Sequence, residues 1–96
     1  VKLPDYIYIG SFRIEVVLVD DLMKDASRGW YDSTKLKIQI NKDLDPQQQF
    51  SVFIHECEEA INDLWDLNLK EPQICVHEQA WTQIILQLCK GEKNKI

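Results

Sequence analysis

Apolar positions recur every second residue in the first part of the chain and every third or fourth residue in the second, with the change near position 45. Tyr6, Ile7, Tyr8 and Ile9 form a short aromatic and β-branched run that stops at Gly10-Ser11. Phe12, Ile14 and Val16 then alternate with Arg13 and Glu15. Two such runs around a Gly-Ser turn predict a β-hairpin. A polar connection over residues 20–29 follows, with room for a short helical turn. Next come Trp30 and Tyr31, a turn at Asp32-Ser33-Thr34, and a run in which Leu36, Ile38 and Ile40 alternate with Lys35, Lys37 and Gln39. This pattern predicts a second hairpin with one wet face.

Asp45 before Pro46 is a helix-start signal, because the carboxylate can cap free N–H groups and proline is tolerated in the first turn. Helical spacing then holds to about Trp65 and breaks over residues 66–72. Pro72 opens a second helix that ends near Gly91. The expectation is a single α+β domain over residues 1–96. A small antiparallel sheet of two hairpins occupies 1–44, two helices carrying the site occupy 45–90, and a frayed tail occupies 91–96.

Composition narrows the partners. The chain of 96 residues is 45% hydrophobic and 28% charged, within the range of small folded domains. A net charge of -5 and a pI near 4.9 argue against nucleic acid or an anionic membrane surface as the main partner. No apolar run approaches the roughly 18 residues of a membrane span. Cys57, Cys75 and Cys89 are odd in number and form no C-x-x-C pair, which fits reduced thiols. With no charged-then-apolar leader pattern, the expected compartment is the cytoplasm.

The helices hold the candidate chemistry. Wound at about 100° per residue, the first gathers Phe50, Phe53, Ile54, Cys57, Ala60, Ile61 and Leu64 into a stripe expected to pack on the sheet. His55 and Glu59 fall one turn apart on the opposite side, where two side chains can share one ion, and Glu56 lies on the flank. This resembles the H-E-x-x-H pattern of metallohydrolases with Glu59 in place of the second histidine. In that pattern two ligands hold a metal, and the carboxylate after the first is general base toward a water whose pKa the metal lowers. The motif alone fits an ordinary solvated acidic helix better than a site, with Glu58, Asp63 and Asp66 as free charges.

The second helix has an apolar stripe of Ile74, Trp81, Ile84, Ile85 and Leu88, interrupted by His77 and Glu78. A charge on a buried face is costly unless paired or metal-bound. An antiparallel helix pair brings position 78 level with 55–59, so Glu78 is the expected third ligand and His77 the alternative. One histidine with two carboxylates is a hard donor set, suited to zinc and also to manganese or another divalent ion.

The stretch from Phe53 to Leu88 resembles small phage- and prophage-encoded zincin-like metallopeptidase-fold proteins. In these, a short sheet precedes an LLHE-x-x-[HE]-A-I helix, an L-x-L turn and a second helix with an inward glutamate. Ile54-His55-Glu56 and Glu59-Ala60-Ile61 match the first block, and Leu67-Asn68-Leu69 matches the turn. Glu78 matches the inward glutamate and Gln83-Ile84-Ile85 the end. The opening segments IGSFRIEVVLVDDL and GWYDSTKLKIQINKDL are similar to the group's strands. Lys70-Glu71-Pro72 lacks the histidine that glutamate-bearing members carry near that turn.

The resemblance implies a minimal zincin-like fold and a phage protein in the host cytoplasm. His55, Glu59 and Glu78 would be metal ligands and Glu56 the catalytic base. The expected function is a metal-dependent hydrolase, a small metallopeptidase whose peptide or protein substrate lies along an exposed edge strand such as residues 36–41. The alternative is a non-catalytic binding or regulatory protein of the same fold with a structural or vestigial metal site. A third reading is an acidic interaction module without metal.

Overall fold

The computed structural model describes residues 2–20 and 28–95, with residues 90–95 described by their backbone alone. Most of the connection over 20–29, including any helical turn there, lies outside the described residues. Four strands are followed by two helices: β1 (Tyr6–Ile9), β2 (Phe12–Val19), β3 (Gly29–Asp32), β4 (Lys37–Asn41), α1 (Pro46–Trp65) and α2 (Glu71–Lys95). The class is α+β. Helix α2 continues to Lys95, past the end expected near Gly91, so residues 91–95 are helical.

The sheet is mixed, which corrects the antiparallel expectation. Its order is β1-β2-β4-β3. β1 pairs antiparallel with β2, and β3 antiparallel with β4. β2 and β4 join these pairs in parallel, with Val16 opposite Ile38 and Leu18 opposite Ile40. Alternation along a strand fixes which side chains share a face but carries no information about neighbour or direction. One consequence matters for function: β4 is interior, and the edges are β1 and β3.

Ile14, Val16, Ile38 and Ile40 turn one face of the sheet toward Phe50, Phe53 and Ala60 of α1, and all seven are buried. The N-terminus of α1 forms as expected. The Asp45 carboxylate accepts the Gln48 N–H at 2.8 Å, with Pro46 in the first turn. At the other end Trp65 packs against Gly10, whose φ of +60° closes the β1–β2 turn. This contact pins the helix across the sheet.

The buried surface of α1 is wider than the expected stripe. Val52 and Glu56 are buried as well, facing β3. Gly29 makes this possible: a Cβ there would stand 2.3 Å from a Val52 methyl and 3.3 Å from the Glu56 Cγ. The glycine therefore sets how closely α1 approaches the edge strand, and with it the depth of Glu56.

The buried face of α2 differs from expectation too. Ile74 and Thr82 are buried, whereas Trp81, Ile84 and Leu88 are exposed. Its main packing partner is α1, so only a narrow strip of the helix is covered. The two helices run antiparallel, as the pairings Asn62–Leu69, Glu58–His77 and Ser51–Glu78 require.

Asn62 organises the turn between the helices. Its amide donates to the Leu69 carbonyl at 3.2 Å and its oxygen accepts the Leu69 N–H at 2.8 Å. Asp66 and Asn68 hold left-handed backbone, with φ of 51° and 61°, which short polar side chains tolerate best. Asn62→Ala removes both clamps and is expected to cost about 1–3 kcal/mol. Thermal unfolding of the variant checks this, and an unchanged Tm would show that the clamp adds no stability.

Candidate metal centre

His55 sits at the middle of α1, half-buried, with both ring nitrogens facing carboxylates. Its Nδ1 lies 2.9 Å from Oε1 of Glu78, and the other Glu78 oxygen accepts the Ser51 hydroxyl. Its Nε2 faces Glu59 at 3.4 Å and Glu71 at 3.6 Å. One ligand atom from each of His55, Glu59 and Glu71 falls within 4.8 Å of the other two.

His55 and Glu59 are therefore together, as i, i+4 spacing requires. Glu78 is beside His55 as well, but on the nitrogen opposite the cluster. Glu71, in the first turn of α2, takes the position next to Glu59. No metal-ligand motif in the sequence includes Glu71. The available signal was a carboxylate at the start of the second helix, immediately after a turn short enough to fold it back onto α1. His77 points elsewhere, with its Nδ1 3.4 Å from Glu58, and it does not join the group. Glu58, expected as a free charge, is largely covered in that pair. Asp63 accepts the Tyr31 hydroxyl at 3.1 Å.

Glu56 is only 7% exposed. Burial raises its pKa to about 7, with His55 pulling the other way and Glu71 adding to the rise. Glu59 is also raised to about 7, first by burial and then by sharing a hydrogen bond with the Glu71 carboxyl group. Burial pulls the His55 pKa down, but the Glu78 hydrogen bond and the charges of Glu56 and Glu71 outweigh it, for a net rise. Burial, followed by the bond to Asp63, pushes the Tyr31 hydroxyl up to about 12. Burial, reinforced by Glu56 and Glu58, takes the Cys57 thiol to about 12, so Cys57 remains a neutral core thiol.

These shifts set a pH dependence in the metal-free protein. Glu56 and Glu59 hold protons more tightly folded than unfolded. Their favourable contribution is complete below the ordinary 4.5 and is lost as pH rises through about 7. The raised His55 acts in the same direction, stabilising below its ordinary 6.5 and losing effect as pH passes its folded value. The Tm of chelator-treated protein is therefore expected to fall between about pH 5 and pH 8, and saturating zinc should flatten the slope. A Tm that rises over this range would contradict the assignment.

The donor set fits a divalent ion. Nε2 of His55 with Glu59 and Glu71 supplies three protein donors, the number found at zinc sites that keep one position open. Glu78 on Nδ1 would fix the ring, as carboxylate partners do for metal-binding histidines.

The group opens onto two spaces. A cleft of about 520 Å³ between β3 and the helix turn is lined by Tyr31, Glu56, Glu59 and Asp63 among others. A smaller cavity of about 260 Å³ holds His55, Glu56, Glu78, Arg28 and Cys75. Among the described residues no helix is long and apolar enough to cross a membrane. Comparison with protein-family models, curated proteins and solved structures gives no match for this chain.

Proposed function

We propose that the protein is a metal-dependent hydrolase acting on peptide bonds, with a divalent ion, zinc by preference, held by His55, Glu59 and Glu71. The observation that carries this reading is the convergence of three donors from two helices on one point, with Glu56 buried beside them. A bound divalent ion would polarise a substrate carbonyl and bring the pKa of a water toward about 7. Glu56, buried beside these donors, would serve as the base that takes a proton from the attacking water and returns it to the leaving amine. Its burial under Gly29 keeps its basicity close to neutrality. Glu78 holds His55 in the tautomer that leaves Nε2 free, and Ser51 in turn orients Glu78.

The edge strand beside the site is β3, which replaces the expected residues 36–41. Asn41 donates to the Arg28 carbonyl, and Trp30 lies opposite Gln39. By antiparallel alternation, Gly29 and Tyr31 then turn their main-chain groups away from β4. Glu56 already takes a hydrogen bond from the Tyr31 backbone, so an extended peptide passing over it would pair with the Gly29 groups and the Tyr31 carbonyl.

The test is elemental analysis of protein purified without chelators, followed by a peptidase assay on the zinc-loaded form. One equivalent of metal with zinc-dependent cleavage supports the proposal. Metal without cleavage would leave a non-catalytic site, and no stoichiometric metal would reject both.

A further inference from the structure

We propose that a second cleft, joined to the metal centre at Arg28, seats the C-terminal residue of a peptide substrate. The free carboxylate would lie on the Arg28 guanidinium and the side chain among amides of α1 and α2. This deepens the hydrolase reading and rests on it for the chemistry, though the binding can be measured without metal.

The cleft, of about 530 Å³, lies between the start of α1 and the middle of α2. Gln47 and Gln48 line it from α1, and Gln79, Thr82, Gln83, Leu86 and Gln87 from α2, so much of the wall is the apolar part of these side chains. Arg28 lines this cleft and also the cavity that holds His55, Glu56 and Glu78. Ser51 makes a second connection: it lines the cleft, and its hydroxyl donates to Glu78, the partner of His55.

Three features select the occupant. Among the described residues, Arg28 is the only arginine or lysine lining either of these spaces or the cleft along β3, and it forms no ion pair with them. Apart from His55, which is held between carboxylates, the other charged groups lining them are acidic: Asp45, Glu56, Glu59, Glu78, Asp63 and Asp66. A negatively charged end of a substrate has one place to go, and a planar guanidinium matches a carboxylate with two parallel hydrogen bonds.

Thr82 is the second feature. It is 8% exposed, and its hydroxyl has no hydrogen-bond partner among the described residues, a state that lowers stability unless a ligand or water completes it. The third is the wall of glutamines. Their amides donate and accept without charge, which suits a peptide main chain or a neutral polar side chain and supplies no positive charge for a second anion.

The probes are acetyl-Ala-Ala-Gln with a free C-terminus and the same peptide as its C-terminal amide. Each is titrated into zinc-loaded Glu56→Gln protein, which does not consume them, and into wild-type protein stripped of metal. NMR follows the glutamine side-chain amides. The free acid should bind at least about tenfold tighter than the amide, and Arg28→Gln should abolish the difference. Thr82→Val should weaken binding of the acid while leaving Tm unchanged or higher.

Equal affinity for acid and amide, a preference that survives Arg28→Gln, or no binding of either peptide would overturn the proposal. The two readings fail separately. A carboxylate preference in protein that takes up no metal upholds the cleft and removes the hydrolase. Stoichiometric zinc and cleavage without that preference does the reverse.

Discussion

Glu56→Gln is expected to keep one equivalent of metal and to lose about 10²–10⁴-fold of the hydrolytic rate. The side chain is buried and pressed beneath Gly29, so an amide of the same shape fits without repacking. It is not one of the three atoms that converge on the ion position, so affinity should change little. What disappears is a base whose pKa of about 7 suits proton transfer near neutrality. A second effect has the opposite sign. Because the amide carries no charge, the metal-free variant should be more stable than wild type at pH values above about 7. Single-turnover kinetics with metal analysis checks the first effect, and thermal unfolding the second. Full activity would remove Glu56 from the chemistry.

The next largest contrast separates Glu71 from Glu78. The Glu71 side chain is 63% exposed, so Glu71→Ala should leave the fold intact while removing a direct donor. The loss of zinc affinity should exceed the about 10–100-fold typical of removing a partner behind a ligand. Glu78→Ala should show that smaller loss in affinity but a real cost in stability, about 1–3 kcal/mol, because Ser51 and Nδ1 of His55 lose their shared partner. Zinc titration and thermal unfolding of both variants decide the matter. The opposite pattern would place the ion on the Nδ1 side, with Glu78 as its ligand.

Local signals in the sequence were sufficient for several parts of this arrangement. Asp45-Pro46 marks the start of α1, and the i, i+4 spacing places His55 and Glu59 together. The polar interruption at Glu78 identifies a side chain that turns inward, and the antiparallel helix pair brings it to His55. Which nitrogen it meets depends on ring rotation and helix separation, which no spacing encodes.

Other parts depend on contacts distant in sequence. The parallel pairing of β2 with β4 makes β4 interior, although its alternation reads the same as that of an edge strand. The burial of Glu56 follows from Gly29, a residue 27 positions away that yields space by lacking a side chain. In α2, the apolar positions Trp81, Ile84 and Leu88 suggested a core face. Yet a helix packed mainly on one neighbour covers only a narrow strip, and that strip here contains Ile74, Glu78 and Thr82. Glu71 carries no distinguishing signal in the sequence, because a single carboxylate at a helix start is common. Only the Asn62 clamp on the turn gives it a position.

The central claim is that the ion sits on the Nε2 side of His55. Anomalous diffraction at the zinc edge, from crystals grown with zinc, tests this directly. One peak is expected at about 2.0–2.2 Å from Nε2 of His55 and from an oxygen of each of Glu59 and Glu71, with Glu78 remaining on Nδ1. A peak bonded to Glu78, or no peak between His55, Glu59 and Glu71, would contradict it.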